Sequence, residues 1–167
     1  MKVKDIALIG ILSATITAGK LALSFIPNVE VVTLLFIIYT NVFGLKRSLM
    51  VTIIFSTLEI FIYGFYTWII GYYIIWPLLV LLTNFLKKKT QSEYGFAVLA
   101  GLFSLFFGLF FALFESIFYG IVYGFSYWIK GIPFDIIHGL SNFIIILLLY
   151  KPITGILLKY KTNETYR

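Results

Sequence analysis

Long apolar stretches alternate with short polar or basic segments along the whole chain. A helix that crosses the hydrocarbon core of a bilayer needs about 20 mostly apolar residues, and the pattern predicts six such helices. Their predicted ranges are 6–25, 29–43, 49–63, 68–86, a fifth helix that begins near residue 96, and 133–150 with an amphipathic tail. We therefore predict an all-α integral membrane protein, a compact bundle of six transmembrane helices that forms one membrane domain, residues 1–167.

The composition supports a lipid environment. Of the 167 residues, 61% are hydrophobic and 12% are charged, and the mean hydropathy is +1.02. Soluble domains are about 45–50% apolar and about 25% charged. This excludes an ordinary soluble enzyme, and the absence of cysteine excludes a disulfide-stapled secreted module and metal–thiolate sites.

The basic residues predict the orientation. If the N-terminus is cytoplasmic, six spans leave only Lys20 and Lys130 near the outer face. The other 11 of the 13 basic residues then lie inside: Lys2, Lys4, Lys46, Arg47, Lys87, Lys88, Lys89, Lys151, Lys159, Lys161 and Arg167. This asymmetry obeys the positive-inside rule, so we predict that both termini are cytoplasmic. The net charge of +6 thus reflects orientation, with the lipid bilayer as a partner, and does not indicate nucleic acid.

Four acidic residues lie near the predicted outer face: Glu30, Glu59, Glu115 and Asp135. A carboxylate within a span costs about 2.5–3.5 kcal/mol on insertion scales, so it normally faces the bundle interior or a wet cavity. Asp135, His138 and Asn142 have the spacing of one helix face. We expect these side chains and Asn28 to line or brace a ligand site. The alternatives are an interfacial acid that reaches water and a core histidine that is satisfied by hydrogen bonds.

An aromatic nonapeptide occurs twice at the predicted outer boundary. YGFYTWIIG (63–71) and YGFSYWIKG (123–131) match at six of nine positions. One interpretation is the aromatic belt found at the edges of membrane proteins. The other is a pair of outer loops that offer Tyr63, Trp68, Tyr127 and Trp128 to a ligand.

Two helices carry small residues at every fourth position, the spacing that allows close helix approach in membranes. In the fifth helix they are Ala100, Ser104, Gly108, Ala112, Ser116, Gly120 and Gly124, beside a row that changes from Phe to Glu115, Tyr119, Tyr123 and Tyr127. A continuous helix to Tyr127 would be about 48 Å long, against a core of about 30 Å. We therefore expect a break between residues 115 and 124, followed by an ordered outer loop.

In the first helix the small residues are Ala14, Ala18 and Ala22. Their spacing suits either internal packing or a smooth face that docks on another membrane subunit.

Several catalytic signatures are missing from the sequence. It contains no Walker-type phosphate loop, no nucleophile elbow and no His-Glu-x-x-His motif. One histidine and no cysteine are few ligands for a transition metal. We expect no cofactor, no metal site and no ATP hydrolysis in this chain. With six short spans and no obvious inverted repeat, a self-sufficient secondary transporter is disfavoured.

Four segments carry a resemblance that covers nearly the whole chain. They are Ala14-x-x-x-Ala18, FIPNVEVVTLL (25–35), GLK (44–46) and YWIKGIPFDIIHG (127–139). In these segments the chain resembles the substrate-binding S components of energy-coupling factor (ECF) vitamin transporters, with the cobalamin-type branch as the nearest.

The resemblance implies a high-affinity binder for a vitamin-class micronutrient in a bacterial plasma membrane. Such proteins work with a transmembrane scaffold subunit and two ATPase subunits, which use ATP, and the Ala-rich face of helix one is their usual docking surface. It therefore implies a coupling face at Ala14, Ala18 and Ala22. It also implies a site lined or braced by Asn28, Glu30, Glu59, Glu115, Trp128, Asp135 and His138.

Two alternatives of other classes remain open. One is a small intramembrane enzyme that uses Glu59, Glu115, Asp135 and His138 for acid–base or metal chemistry. The other is a structural subunit without a ligand.

The formal charge near the outer face predicts the kind of ligand. Four acids and two bases give a local balance of −2, which disfavours anionic vitamins such as folate or biotin. We therefore expect a cation or a neutral ligand rich in hydrogen-bond donors, such as a corrinoid or a thiamine-like compound.

The predicted orientation can be tested by labelling. The chain has no native cysteine, so Lys88→Cys and Lys130→Cys each place one thiol at a predicted face. A membrane-impermeant maleimide should label the two variants from opposite sides of the membrane. Labelling of both variants from the same side would contradict the six-span topology.

Overall fold

The structure is a computed structural model that describes the backbone of residues 3–165 and the side chains of residues 3–161. It is all-α, as predicted, and within the described residues α5 and α6 join end to end to complete a bundle of six helices. The helices are α1 (Val3–Ala22), α2 (Val32–Phe43), α3 (Leu45–Tyr63), α4 (Thr67–Leu86), α5 (Glu93–Leu105), α6 (Phe107–Tyr119) and α7 (Ile121–Thr165).

The surface of the bundle is that of a membrane protein. Four helical stretches are long and apolar enough to cross a bilayer: Val3–Ala22, Thr67–Leu86, Glu93–Tyr119 and Ile121–Lys161. Large apolar side chains face outward, among them Phe61 at 81% exposure and Leu148 at 66%. A soluble protein rarely exposes so continuous an apolar surface, so lipid is the medium that covers it.

Helix α2 lies at the centre of the bundle. Its 12 residues span only about 18 Å, and every side chain from Val32 to Thr40 is buried. The other helices that contact it are α1, α3, α4, α5 and α7. A helix that is apolar on all sides must be surrounded by protein or lipid, and α2 is surrounded by protein.

The turn between α6 and α7 differs from the sequence prediction. The break falls at Gly120, inside the predicted interval, but helix α7 begins at the next residue. The expected outer loop is therefore absent, and Pro133 lies inside α7 instead of opening the last helix. The reason is Gly120, whose φ of +88° lets the chain reverse within one residue.

Close packing holds α7 antiparallel against α5 and α6. The ridge of small residues makes this approach possible, as its spacing predicted. A Cβ atom added to Gly124 would lie 1.8 Å from Ser116 Oγ and 2.4 Å from the carbonyl oxygen of Ala112. Further along, a Cβ atom on Gly139 would lie 3.0 Å from the carbonyl oxygen of Gly101.

The turns after α2 and α3 are also tighter than predicted, whereas the connection between α1 and α2 is longer, since α1 ends at Ala22 and α2 begins at Val32. Gly44 alone joins α2 to α3, with a φ of +86°, so residues 45–48, which lie between the predicted helices 29–43 and 49–63, are helical. Gly64, with a φ of +85°, ends α3 in the same way. We call the end of the bundle that carries Gly64 and Gly120 the outer end, and the opposite end the inner end.

Basic residues close the inner end. Lys87 Nζ donates to the carbonyl oxygen of Thr40 at 3.1 Å, and Lys161 Nζ donates to that of Val42 at 2.7 Å. Cations at these carbonyls oppose the negative C-terminal end of the α2 dipole. Burial, together with the neighbouring lysine charges, lowers the pKa of Lys87 below its ordinary value.

Arg47 ties the α2–α3 turn to the start of α1. It donates from Nε and Nη2 to Asp5 Oδ1 at 3.0 and 2.6 Å. Of the basic residues that were counted for orientation, Lys2 and Arg167 lie outside the described residues.

The packing of α6 on α7 predicts the effect of one added methyl group. Gly124→Ala should cost about 1–3 kcal/mol, because its Cβ atom would overlap Ser116 and backbone of α6. The melting temperature of the purified protein in detergent should therefore fall by several degrees. Gly131→Ala is the control on the same helix, since the atom nearest to its Cβ position is 4.0 Å away. Equal melting temperatures of the two variants would contradict this packing.

Candidate functional site

Glu30 is the centre of a polar cluster at the outer end. Its Oε2 accepts from the backbone N–H of Thr33 at 2.9 Å, and its Oε1 accepts from Asn142 Nδ2 at 2.7 Å. His138 Nε2 lies 3.4 Å from the same Oε1. Asn142 also donates to Ser104 Oγ at 2.9 Å. These residues, which we call the Glu30 cluster, join the start of α2 to α7 and α5. Three of them, Glu30, His138 and Asn142, are predicted site residues.

The segment 23–31 between α1 and α2 is fixed to α7 at two points. The first is the contact of Glu30 with Asn142 and His138. The second is Ser141 Oγ, which donates to the carbonyl oxygen of Asn28 at 2.9 Å. Asn28 has a φ of 59°, a left-handed conformation that asparagine adopts more readily than most residues. Asn28 therefore contributes a left-handed backbone conformation and a carbonyl acceptor to the site.

Lys20 forms a second polar group at the outer end. Its Nζ donates to Glu59 Oε2, and Glu59 is completely buried. Four rings surround the ammonium group, with distances from Nζ to the ring centroids of 4.8 Å for Tyr63, 5.2 Å for Tyr72, 5.5 Å for Trp68 and 5.9 Å for Phe55. We call Lys20, Glu59 and these four rings the Lys20 cage. Attraction between a cation and aromatic faces adds to the ion pair.

The other two acids brace helices. Glu115 on α6 accepts from Thr67 Oγ1, at 2.9 and 2.7 Å, and so ties α6 to the first turn of α4. Asp135 Oδ1 on α7 accepts from the backbone N–H of Gly108 at 3.0 Å. Gly108 lies in the first turn of α6, where N–H groups lack helical partners. Asp135 therefore caps α6, and the missing side chain of Gly108 leaves room for the carboxylate.

A cavity of about 300 Å³ lies between the segment 23–31 and the bundle. The side chains of Tyr72 and Trp76 on α4 and of Phe107 on α6 form an aromatic wall. Besides Tyr72, the ionisable side chains that line the cavity are Lys20, Glu30 and His138. The cavity thus lies between the Glu30 cluster and the Lys20 cage.

The predicted site residues divide into three groups. Asn28, Glu30 and His138 line the cavity. Four more lie directly behind this lining, namely Asn142 in the Glu30 cluster and Glu59, Tyr63 and Trp68 in the Lys20 cage. The remaining five residues neither line the cavity nor belong to the Glu30 cluster or the Lys20 cage: Glu115, Tyr119, Tyr127, Trp128 and Asp135.

The aromatic repeat does not form a pair of loops. Its first copy forms the turn at Gly64 and the start of α4, but its second copy lies within α7. Tyr119 and Tyr127 are 56% and 42% exposed, and each packs against Tyr123, with ring centroids 5.0 and 6.3 Å apart. Tyr119 is the last residue of α6, Tyr127 lies near the start of α7, and neither ring lines the cavity.

Sequence reasoning missed several residues of the site. Tyr72 and Trp76 follow Trp68 at four-residue intervals, so this spacing was a signal for one aromatic helix face. Lys20 is an isolated cation inside an apolar helix, and such a residue normally has an internal partner. The roles of Thr67, Ser104 and Ser141 had no signal in the sequence.

The alanines of α1 face away from the bundle. Ala14, Ala18 and Ala22 are all exposed, as is Gly10 on the same helix. The structure therefore rejects internal packing as the reason for their spacing.

No family model, no curated protein and no solved structure matches this chain. Across the described side chains, no group of three or more His, Asp or Glu residues is placed to hold a metal ion.

The bracing role of Asp135 predicts a loss of stability on truncation. Asp135→Ala leaves the N–H of Gly108 without its acceptor, which should cost about 1–3 kcal/mol and lower the melting temperature. Asp135→Asn keeps an acceptor oxygen and should retain most of the stability. Equal losses in the two variants, measured by thermal unfolding in detergent, would show that the capping contact is not what Asp135 contributes.

Proposed function

We propose that this chain is the substrate-binding S component of an ECF-type transporter, which captures a vitamin-class micronutrient at the extracellular side of a bacterial plasma membrane. The observation that carries the proposal is the cavity of about 300 Å³ at the outer end, lined by an aromatic wall and by Lys20, Glu30 and His138. An apolar cleft with a few convergent polar groups is the usual form of a small-molecule site.

The contacts of the segment 23–31 support a binding role. This segment contributes more than half of the residues that line the cavity and is held to α7 through Glu30 and Asn28. A ligand beneath it would contact both the segment and α4 and α6. Several helices would then contribute contacts to the ligand, which suits tight binding without a chemical reaction.

The exposed alanines of α1 support a membrane partner. Small side chains at four-residue spacing let a second helix approach the backbone closely, and in lipid this packing is a main source of association. Ala14, Ala18 and Ala22 would dock on a transmembrane scaffold subunit. That subunit and two ATPase subunits would supply the ATP-driven step, so that this chain uses no cofactor or metal of its own and is not an enzyme.

The volume of the cavity favours a compact ligand. About 300 Å³ is the lower limit of the range of about 300–1,000 Å³ that drug-sized ligands occupy. A corrinoid is far larger than a typical drug and would need the segment 23–31 to move away. A single-ring or two-ring micronutrient is therefore the better candidate.

The enzymatic alternative gains no support from the contacts at the outer end. Among the described residues, Glu59 is paired with Lys20, Glu115 with Thr67, and Asp135 with the N–H of Gly108. Each acid thus has its own structural partner.

Two substitutions on the exposed face of α1 test the proposal. The purified chain is screened against a panel of vitamins by its melting temperature, and uptake of the best ligand is measured in cells that also produce a scaffold and two ATPase subunits. Ala14→Trp and Ala18→Trp should leave the dissociation constant unchanged but abolish uptake, because a bulky ring prevents close helix approach. Leu148→Trp, at an equally lipid-facing position of α7, is the control and should support uptake.

Two results would contradict the proposal. If no vitamin changed the melting temperature, the cavity would not be a vitamin site. If both alanine variants supported uptake at the wild-type rate, this face of α1 would not be the docking surface.

A further inference from the structure

The carboxylates near the cavity are already engaged inside the protein. Glu30 accepts from a backbone N–H and from Asn142, and it lies beside His138 Nε2. Glu59 binds Lys20 through Oε2, and its Oε1 has no hydrogen-bond partner among the described residues, but Glu59 does not line the cavity. Glu30 is the carboxylate that lines the cavity, and both of its oxygens already accept hydrogen bonds from the protein, so it has little accepting capacity left for a ligand.

The unused hydrogen-bonding capacity of the cavity consists mainly of donors. The ammonium group of Lys20 carries three N–H bonds and makes one contact with an oxygen among the described residues, that with Glu59. Trp76 is only 3% exposed, and its Nε1 has no acceptor among the described residues. Both residues line the cavity. A buried donor without a partner is costly, so an acceptor atom supplied by a ligand would be stabilising.

The aromatic cage that could attract a cationic ligand is occupied. The ammonium group of Lys20 lies within 6 Å of four ring centroids, the range in which a cation is attracted by aromatic faces. A cationic ligand would have to displace Lys20 from these rings and from Glu59, or bind beside a second positive charge. Both are unfavourable.

We propose that the cavity recognises a planar, uncharged ring compound through a carbonyl or similar acceptor oxygen, which binds the ammonium group of Lys20. The ring would pack against Tyr72, Trp76 and Phe107, whose neighbouring ring centroids are 5.4 and 5.6 Å apart. This assignment reverses the sequence expectation of a cationic or donor-rich ligand. It deepens the proposed function and rests on it for the claim that the cavity is a ligand site.

Two probes with the same ring and opposite polarity test the assignment. Nicotinamide presents a carbonyl oxygen, and 3-(aminomethyl)pyridine presents an ammonium group at neutral pH. Binding to the purified protein in nanodiscs is measured by saturation-transfer NMR and by quenching of tryptophan fluorescence. Nicotinamide should bind at least about tenfold more tightly than 3-(aminomethyl)pyridine.

The variants are chosen to remain folded. Lys20→Met combined with Glu59→Gln removes the ion pair as a unit and leaves no buried charge behind. This double variant should bind nicotinamide about tenfold more weakly or worse, since a hydrogen bond to a charged donor is lost. Trp76→Phe keeps an aromatic ring but removes the indole N–H, and a smaller loss is expected. Lys130→Met, at an exposed lysine of α7 away from the cavity, should bind like the wild type.

Three results would overturn the assignment: tighter binding of 3-(aminomethyl)pyridine, undiminished binding of nicotinamide by the folded double variant, or no binding of either probe to the wild type. These results are separate from the uptake assay. Binding of nicotinamide through Lys20 without scaffold-dependent uptake of any vitamin would leave the assignment standing and reject the transporter role. Scaffold-dependent uptake of a vitamin that does not depend on Lys20 would leave the transporter role standing and reject the assignment.

Discussion

Every carboxylate that lies inside this bundle has to find its hydrogen-bond donor within the protein, because the surrounding lipid offers none. This constraint organises the outer end. Four acids each bind a different structural element: Glu30 joins the start of α2 to α7, Glu59 joins α3 to α1, Glu115 joins α6 to α4, and Asp135 joins α7 to α6. The same pairings leave a cavity between the first two of these contacts.

The pairings also decide the chemistry that the cavity offers. If the four acids were free, their negative charge would favour a cation. Because Glu30 and Glu59 are engaged, a ligand in the proposed site would meet the donors of Lys20 and Trp76. Lys20 itself is held by four aromatic rings, which fix the ammonium group at the edge of the cavity. Formal charge counted along the sequence therefore does not show which hydrogen-bonding groups the cavity presents.

The two ends of the molecule serve different purposes. At the inner end, Lys87 and Lys161 bind the last carbonyl groups of α2, and Arg47 binds Asp5, so the charges there close the bundle. At the outer end, the segment 23–31 lies over a cavity. On the side of α1, the alanines leave a smooth surface exposed to lipid. Capture of a ligand and docking of a partner would thus use separate surfaces of one small bundle.

The sequence by itself determined the fold class and the number of helices, because the length of an apolar run and the bilayer thickness leave little freedom. It also determined that Asp135, His138 and Asn142 share a helix face, because helical spacing is local. Only the tertiary structure decided their roles. Asp135 caps α6 while His138 and Asn142 meet Glu30, more than 100 residues away along the chain. It also turned an expected loop into helix α7, because reversal at Gly120 and close packing at Gly124 satisfy more backbone hydrogen bonds than a loop would. Such outcomes depend on which helices become neighbours, and no spacing along one chain segment contains that information.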